Sequence, residues 1–186
     1  PHVTIAVQAQ LLGTGDAVRA GLAALPGISG AVVVTSGDVP LLAGETLQGL
    51  VATHRSEGNA ITVLTSIVPD PTGYGRIVRE GDHVARIVEQ KDASPDELDL
   101  NEINSGIYVF EADVLGEGIE ALEAKNAQGE LYLTDVIAYA RQAGRRVGAQ
   151  LLADHLQTEG VNDRIQLAER GAELNRRILN RWMAAG

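Results

Sequence analysis

The chain has 186 residues, 45% of them hydrophobic, with 25 acidic residues against 15 basic ones and no cysteine. This composition suffices for the core of one domain, and it excludes disulfides, thiolate catalysis and cysteine-bound zinc. The net charge of −10 argues against long nucleic acid as a partner. Neither a membrane-spanning apolar run nor a signal-peptide pattern is recognisable, so we expect a cytoplasmic protein with no membrane partner.

The first third of the chain alternates predicted strands and helices. Apolar periodicity predicts strands at residues 2–7, 31–35 and 60–68, and helices at residues 13–25 and 45–55. The run AVVVT at 31–35 is typical of a strand buried on both faces, so we expect it at the centre of the sheet. The β-α-β-α-β order predicts an α/β fold with a Rossmann-like, mixed and mostly parallel sheet.

The rest of the chain adds antiparallel features and further helices. Two short strands at 75–79 and 84–89 flank a hairpin turn, and residues 92–100 are polar and predicted to be a loop. The remaining predictions are strands at 102–110 and 147–152 and helices at 112–122, 131–143 and 163–185.

Two short motifs follow predicted strands, where ligands bind in open α/β sheets. Gly13-Thr14-Gly15 precedes a helix, whose free N–H groups suit a phosphate, the alternative being an ordinary strand-to-helix turn with Thr14 as a cap. Ser36-Gly37-Asp38 ends the apolar run at 31–35. Asp38 is a suitable ligand for a hard cation, the alternative being an aspartate that caps the turn before Pro40.

Three further polar positions could contact a ligand. Glu89 ends an apolar strand and could accept hydrogen bonds from sugar hydroxyls, the alternative being a surface hairpin with solvated charges. Asn104 precedes Gly106 inside a strand, where a glycine indicates either a bulge or a closely approaching ligand. Asn162 precedes a long helix and is either its N-cap or a metal ligand.

These motifs, in this order, resemble the uridylyltransferase domain of the bifunctional bacterial GlmU enzymes. The resemblance covers essentially the whole chain, and its more specific parts are NAQGELYLTD and EGVNDRIQLA. The segments that carry the resemblance are QAQLLGTGDA, SGDVPLL, DPTGYGRIVRE, IVEQKDAS, EINSGIYVF, NAQGELYLTD and EGVNDRIQLA. The resemblance implies a sheet of the nucleotide-diphospho-sugar transferase type, a nucleotidyltransferase domain at residues 1–162, and a linker helix at residues 163–186.

The resemblance also implies an activity and a set of site residues. The reaction would join UTP and N-acetylglucosamine 1-phosphate into UDP-N-acetylglucosamine and pyrophosphate, with Mg²⁺ as cofactor, for cell-wall precursors. Asp38 would be the catalytic residue and would hold Mg²⁺ together with Asn162. The residues that would contact the substrates are Gln8 at the uracil, Gly13 and Thr14 at the uridine, Ser36, Asn162, and Gly75, Glu89, Asn104, Tyr132 and Thr134 at the sugar.

This chain departs from the family pattern in three respects. The family's glycine-rich loop, with its Arg and Lys, would precede residue 1, so we expect residues 1–186 alone to be weakly active or inactive. A left-handed β-helix would follow residue 186 and would make the full-length protein a homotrimer that also acetylates glucosamine 1-phosphate. Asp163 stands where the family often has Asn.

Two other functions remain open. The first is another sugar-1-phosphate nucleotidylyltransferase, which would share the GTG turn and Asp38. The second is a non-catalytic module that binds sugar nucleotides.

Overall fold

The computed structural model describes residues 3–186 and has strands and helices in alternation. The strands are β1 (Ala31–Val34), β2 (Ile61–Ile67), β3 (Arg76–Glu80), β4 (His83–Val88), β5 (Glu102–Glu111) and β6 (Val147–Leu151). The helices are α1 (Thr14–Ala23), α2 (Gly44–Glu57), α3 (Pro95–Leu98), α4 (Ala112–Glu120), α5 (Asp135–Gln142) and α6 (Arg164–Ala185), with a 3₁₀ turn at His155–Thr158.

These strands form one six-stranded sheet in the order β4-β3-β5-β2-β6, with β1 paired to β5. Tyr108 of β5 faces Val34 of β1 on one side and Val63 of β2 on the other. β1, β2, β3 and β6 therefore run in one direction, and β4 and β5 run in the other. The mixed α/β class is confirmed. Although four of the described strands run in the same direction, β2 and β6 are the one parallel pair among them, because the antiparallel β5 lies between β1 and β2.

The prediction that residues 31–35 form the central strand is wrong. Within residues 3–186, β1 pairs with β5 alone, and Val33 is 40% exposed. A continuous apolar run predicts burial, but it does not say which strands will lie on either side. The centre is occupied instead by β5, which pairs with β1, β2 and β3.

The strand predicted for residues 2–7 is not formed over residues 3–7, and His2 lies outside the described residues. Val3, Ile5 and Val7 are 79%, 83% and 80% exposed. Alternation favours a strand only where a neighbouring strand supplies hydrogen bonds, and this segment pairs with none among the described residues.

The helices cover both faces of the sheet, as an α/β fold requires. Leu50 of α2 packs with Leu64, Ile107 and Val109 on one face. α4 and α5 cover the other face with a larger apolar cluster. The periodicity at 45–55 and 112–122 thus predicted two helices correctly, because each has an apolar stripe that the sheet buries.

Two segments differ from their predictions for identifiable local reasons. The helix predicted at 131–143 begins only at Asp135, because Leu131 pairs by backbone hydrogen bonds with Leu12 at 2.7 Å and Gly15 at 2.8 Å. The predicted loop at 92–100 contains the short helix α3. Its start has a capping box, in which Ser94 and Glu97 satisfy each other's backbone N–H groups.

The long helix α6 lies on the surface and has no buried residue. Arg177 donates to Asp154 at 2.7 and 3.0 Å, and Arg170 contacts Glu159 at 2.5 Å, so ion pairs attach α6 to the segment before it. Its assignment as a linker stays a prediction. None of the helices within residues 3–186 combines the length and apolar character needed to cross a membrane.

Candidate active site

A polar cavity of about 320 Å³ opens beside the end of β1. Six of the residues that the sequence singles out line it together. They are Ser36, Asp38, Gly75, Glu89, Asn104 and Asn162. These residues lie far apart in the chain, and the fold brings them together because β1, β3, β4 and β5 all present an end or a bulge to this place.

A second cavity of about 260 Å³ adjoins the first, and we call it the apolar pocket. Its walls include Val18, Val34, Tyr108 and Leu133, together with Thr14 and Thr134. Four residues belong to the walls of both cavities: Ser36, Glu89, Asn104 and Gly106. The two spaces therefore lie side by side along one wall.

Asp38 and Asn162 both line the polar cavity, and we call the part of the cavity beside them its cation end. The backbone N–H of Val161 donates to the carbonyl of Asp38 at 2.9 Å, which brings Asn162 close to Asp38. Gly160 packs so closely that an added Cβ would lie 3.2 Å from Oδ2 of Asp38. Among the hydrogen bonds and ion pairs of residues 3–186, none engages the Asp38 carboxylate or the Asn162 side-chain amide. The carboxylate oxygens of Asp38 and the amide oxygen of Asn162 are therefore available to a ligand.

This donor set fits a hard divalent cation. A carboxylate and an amide oxygen are oxygen ligands of the kind such cations prefer. No group of three His, Cys, Asp or Glu within residues 3–186 could enclose a metal. A cation held by Asp38 and Asn162 would therefore complete its coordination with water and with phosphate oxygens of a substrate.

Glu89 forms part of the walls of both cavities. Its Oε1 accepts a hydrogen bond from the hydroxyl of Thr134 at 3.3 Å. Burial raises the pKa of Glu89; the hydrogen bond from Thr134 opposes that rise, and the nearby carboxylates of Asp92 and Asp135 add to it. An added Cβ on Gly75 would lie 3.3 Å from Oε2 of Glu89, so glycine there leaves room for the carboxylate.

Asn104 lies at a bulge of β5, which is one of the two interpretations that Gly106 inside a predicted strand allowed. Val63 faces Tyr108 but Thr65 faces Asn104, so β5 holds two extra residues between these pairs. Ser105 fills the gap by donating to the carbonyl of Leu64 at 2.6 Å. Oδ1 of Asn104 accepts a hydrogen bond from the N–H of Gly106 at 3.1 Å, and the NH₂ group of Asn104 faces the hydroxyl of Tyr108.

Gln8, Gly13 and Thr14 make contacts that explain them without a ligand. Gln8 donates to Asp16 at 2.8 Å and to the carbonyl of Gly13 at 3.2 Å. Gly13 has φ of 107°, and a Cβ would lie 2.6 Å from the carbonyl oxygen of Leu131. The hydroxyl of Thr14 accepts from the N–H of Leu133 at 3.0 Å. Thr14 lines the apolar pocket, whereas Gln8 and Gly13 line neither cavity.

Tyr132 lies apart from both cavities. It lines a third cavity of about 390 Å³, together with Asp92 and Asp135, and Glu89 and Thr134 border this cavity too. The side chain of Tyr132 is 8% exposed. Burial raises its pKa, with Asp92 the next contributor. Contact between Tyr132 and a sugar stays a prediction.

Sequence reasoning missed several residues of the polar cavity, among them Thr158, Gly160 and Gln166. Gln166 accepts a hydrogen bond from the backbone N–H of Asn162 at 2.6 Å. The pattern Asp163-x-x-Gln166 at the start of a helix resembles a capping box, and that signal could have identified Gln166. No comparable signal marks Thr158 or Gly160.

Solved structures show which fold this is. The nucleoside-diphosphate-sugar pyrophosphorylase from Vibrio cholerae RC9 aligns with a TM-score of 0.60 over 80% of this chain and 61% of that one, at 18% identity. A UDP-glucose pyrophosphorylase complexed with UDP-glucose aligns with a TM-score of 0.59 over 78% of this chain and 56% of that one, also at 18% identity. The fold is therefore that of the sugar-nucleotide pyrophosphorylases.

Sequence comparison gives the family. The Nucleotidyl transferase family model matches residues 1–183, and the chain belongs to that family. The bifunctional protein GlmU of Cutibacterium acnes is 56% identical, over 100% of this chain and 46% of that protein. The bifunctional protein GlmU of Kineococcus radiotolerans is 54% identical, over 100% of this chain and 38% of that protein. The chain thus spans less than half the length of these relatives.

Proposed function

We propose that the two cavities form the site of a uridylyltransferase. It would make UDP-N-acetylglucosamine and pyrophosphate from UTP and N-acetylglucosamine 1-phosphate. The observation that carries this proposal is the shared wall of Ser36, Glu89, Asn104 and Gly106, which joins an end with free oxygen ligands to an apolar pocket. UDP-N-acetylglucosamine has matching polar and apolar parts, because its phosphates need a cation and its acetamido methyl group needs an apolar contact.

In this site the protein would act mainly by positioning the substrates. The sugar 1-phosphate attacks the α-phosphorus of UTP in line with the leaving pyrophosphate, so no covalent enzyme intermediate is needed. The carboxylate of Glu89 would accept hydrogen bonds from sugar hydroxyls. The NH₂ of Asn104, which lies beside the hydroxyl of Tyr108, would donate to the acetamido carbonyl, whose methyl group would then face Val18 and Leu133 in the apolar pocket.

Asp38 and Asn162 would hold Mg²⁺ through their oxygens. Bound there, Mg²⁺ supplies neutralisation of the phosphate charge that grows as pyrophosphate leaves. The carboxylate of Asp38 contributes the negative charge that retains the cation, and Asn162 contributes a neutral oxygen. Asp38 is therefore the residue whose loss we expect to affect the rate most.

The relatives support this proposal because they match the whole chain at more than half identity. For the whole protein, we propose the remaining properties that the resemblance implies. These are a second activity as glucosamine-1-phosphate N-acetyltransferase, a homotrimer formed through a β-helix, and a cytoplasmic location.

A substrate panel tests the proposed function. The purified protein that contains this chain is assayed for pyrophosphate release with Mg²⁺, either UTP or TTP, and either N-acetylglucosamine 1-phosphate or glucose 1-phosphate. Binding of UDP-N-acetylglucosamine is measured in parallel by calorimetry. We expect kcat/KM to favour the acetylated sugar by about 10²-fold, because an unfilled acetamido site leaves polar groups unpaired. A preference for glucose 1-phosphate, or for TTP over UTP, would indicate another sugar-1-phosphate nucleotidylyltransferase. Binding of UDP-N-acetylglucosamine without turnover would indicate a binding module.

A further inference from the structure

Gln166 connects the first turn of α6 to the cation end of the polar cavity. Its Oε1 accepts the N–H of Asn162 at 2.6 Å, while its own backbone N–H donates to Asp163 at 2.8 Å. The side chain also lines the polar cavity and is half-buried. Gln166 therefore contacts the backbone of Asn162, a proposed cation ligand, and forms part of the wall of the cavity that Asn162 also lines.

The segment before α6 is held at two consecutive peptide groups. The N–H of Val161 donates to the carbonyl of Asp38, and the N–H of Asn162 donates to Gln166. Asn162 itself is exposed, lies outside any helix or strand, and has no side-chain hydrogen bond within residues 3–186. Its position relative to Asp38 therefore depends on these two backbone hydrogen bonds, one of which Gln166 supplies.

Loss of the second hydrogen bond would release the backbone of Asn162 and would change little else. An exposed N–H can bond to water instead, so the free energy of unfolding should change only slightly. A cation would then have to order Asn162 on binding, which weakens its affinity. Residues that orient metal ligands typically contribute 10- to 100-fold to metal affinity in this way.

We propose that Gln166 is a positioning residue of the cation site, acting through Oε1 on the backbone of Asn162. This inference rests on the proposed function for the identity of the site. The hydrogen-bond acceptor is the essential group, so glutamate at this position preserves the role and an apolar side chain of similar length abolishes it.

Three variants separate this role from a structural one. Gln166→Met keeps the side-chain length and the helix propensity but removes the acceptor. Gln166→Glu keeps the acceptor. Asn175→Leu serves as a control, because Asn175 is an exposed amide on the same helix without a hydrogen bond among the described residues.

Binding of Mn²⁺ in the presence of UTP is measured by electron paramagnetic resonance, alongside the Mg²⁺ concentration for half-maximal activity and the Tm. For Gln166→Met we expect the Mn²⁺ dissociation constant and the required Mg²⁺ concentration to rise about 10-fold. We expect Asn175→Leu to stay within about 2-fold of the wild-type protein and Gln166→Glu to bind Mn²⁺ at least as tightly as the wild type, because its added carboxylate attracts the cation. The Tm should change by less than about 3 °C in all three variants.

Unchanged Mn²⁺ binding in a folded Gln166→Met variant overturns the inference, as does a Gln166→Glu variant that is as defective as Gln166→Met. If Gln166→Met does not fold, Gln166→Glu is compared with Gln166→Thr, whose side chain is too short to reach Asn162. The Mn²⁺ measurement needs no turnover. A failure of the proposed reaction is thus recognised separately, by absent pyrophosphate release with intact cation binding.

Discussion

The hydroxyl of Thr134 lies 3.3 Å from Oε1 of Glu89 and donates a hydrogen bond to it, at a place where burial raises the pKa of that carboxyl. Thr134 is the N-cap residue of α5 and Glu89 follows β4, so this hydrogen bond joins two elements at the wall of the apolar pocket. The hydrogen bond from Thr134 favours the ionised form of Glu89, in which both carboxylate oxygens act as acceptors for sugar hydroxyls.

Thr134→Val should therefore weaken sugar binding and change its pH dependence. Without the hydroxyl, the pKa of Glu89 rises further, so the acid limb of kcat/KM for N-acetylglucosamine 1-phosphate moves to higher pH. We expect KM for this substrate to rise roughly 10-fold at pH 7, as for a lost hydrogen bond to a charged group, with KM for UTP little changed. Thr134→Ser keeps the hydroxyl and should retain the wild-type profile. An equal effect of both variants would argue against this role.

Glu89→Gln should stabilise the fold while it weakens sugar binding. The pKa of Glu89 is raised in the folded state, so the ionised group favours unfolding once the pH exceeds the unfolded pKa. At pH 8 the variant should melt about 1–3 °C higher. Below about pH 4 the difference should vanish, because Glu89 is then protonated in both states. Thermal scans at several pH values check this, and a lower Tm at pH 8 would contradict it.

Asp38→Asn should lower kcat by about 10²- to 10³-fold, the range found when a residue that stabilises transition-state charge is removed. The fold should persist, because Asp38 is exposed and its carboxylate has no partner among the described residues. Steady-state kinetics across Mg²⁺ concentrations, with circular dichroism to confirm folding, measure the effect. Wild-type turnover at ordinary Mg²⁺ would mean that the cation is held elsewhere.

Gly13→Ala should destabilise the protein without altering the proposed chemistry directly. Its φ of 107° is strained for alanine, and the new Cβ would lie 2.6 Å from the carbonyl oxygen of Leu131. We expect the free energy of unfolding to fall by about 1–3 kcal/mol. Gly21→Ala, inside α1 with open space around it, is the matched control and should raise that free energy by about 0.5–1 kcal/mol. Urea denaturation distinguishes them, and similar values for both would refute the steric argument.

The sequence by itself determined the features that depend on neighbouring residues. Apolar periodicity located α2, α4 and α6 to within a few residues, because a helix forms its hydrogen bonds within its own segment. The resemblance named Asp38, Glu89, Asn104 and Asn162, and all four line the polar cavity. Whether they hold the ligands proposed for them awaits the experiments above.

The tertiary structure alone decided the features that depend on distant partners. β1 looks like a central strand in the sequence, yet it pairs with β5 alone among residues 3–186, because strand position depends on which segments supply the neighbouring hydrogen bonds. The same holds for Gln166, which is an ordinary helix residue until its side chain is seen to accept the N–H of Asn162. Local pattern specifies an element, whereas pairing between elements specifies where its side chains meet, and only the folded chain contains that information.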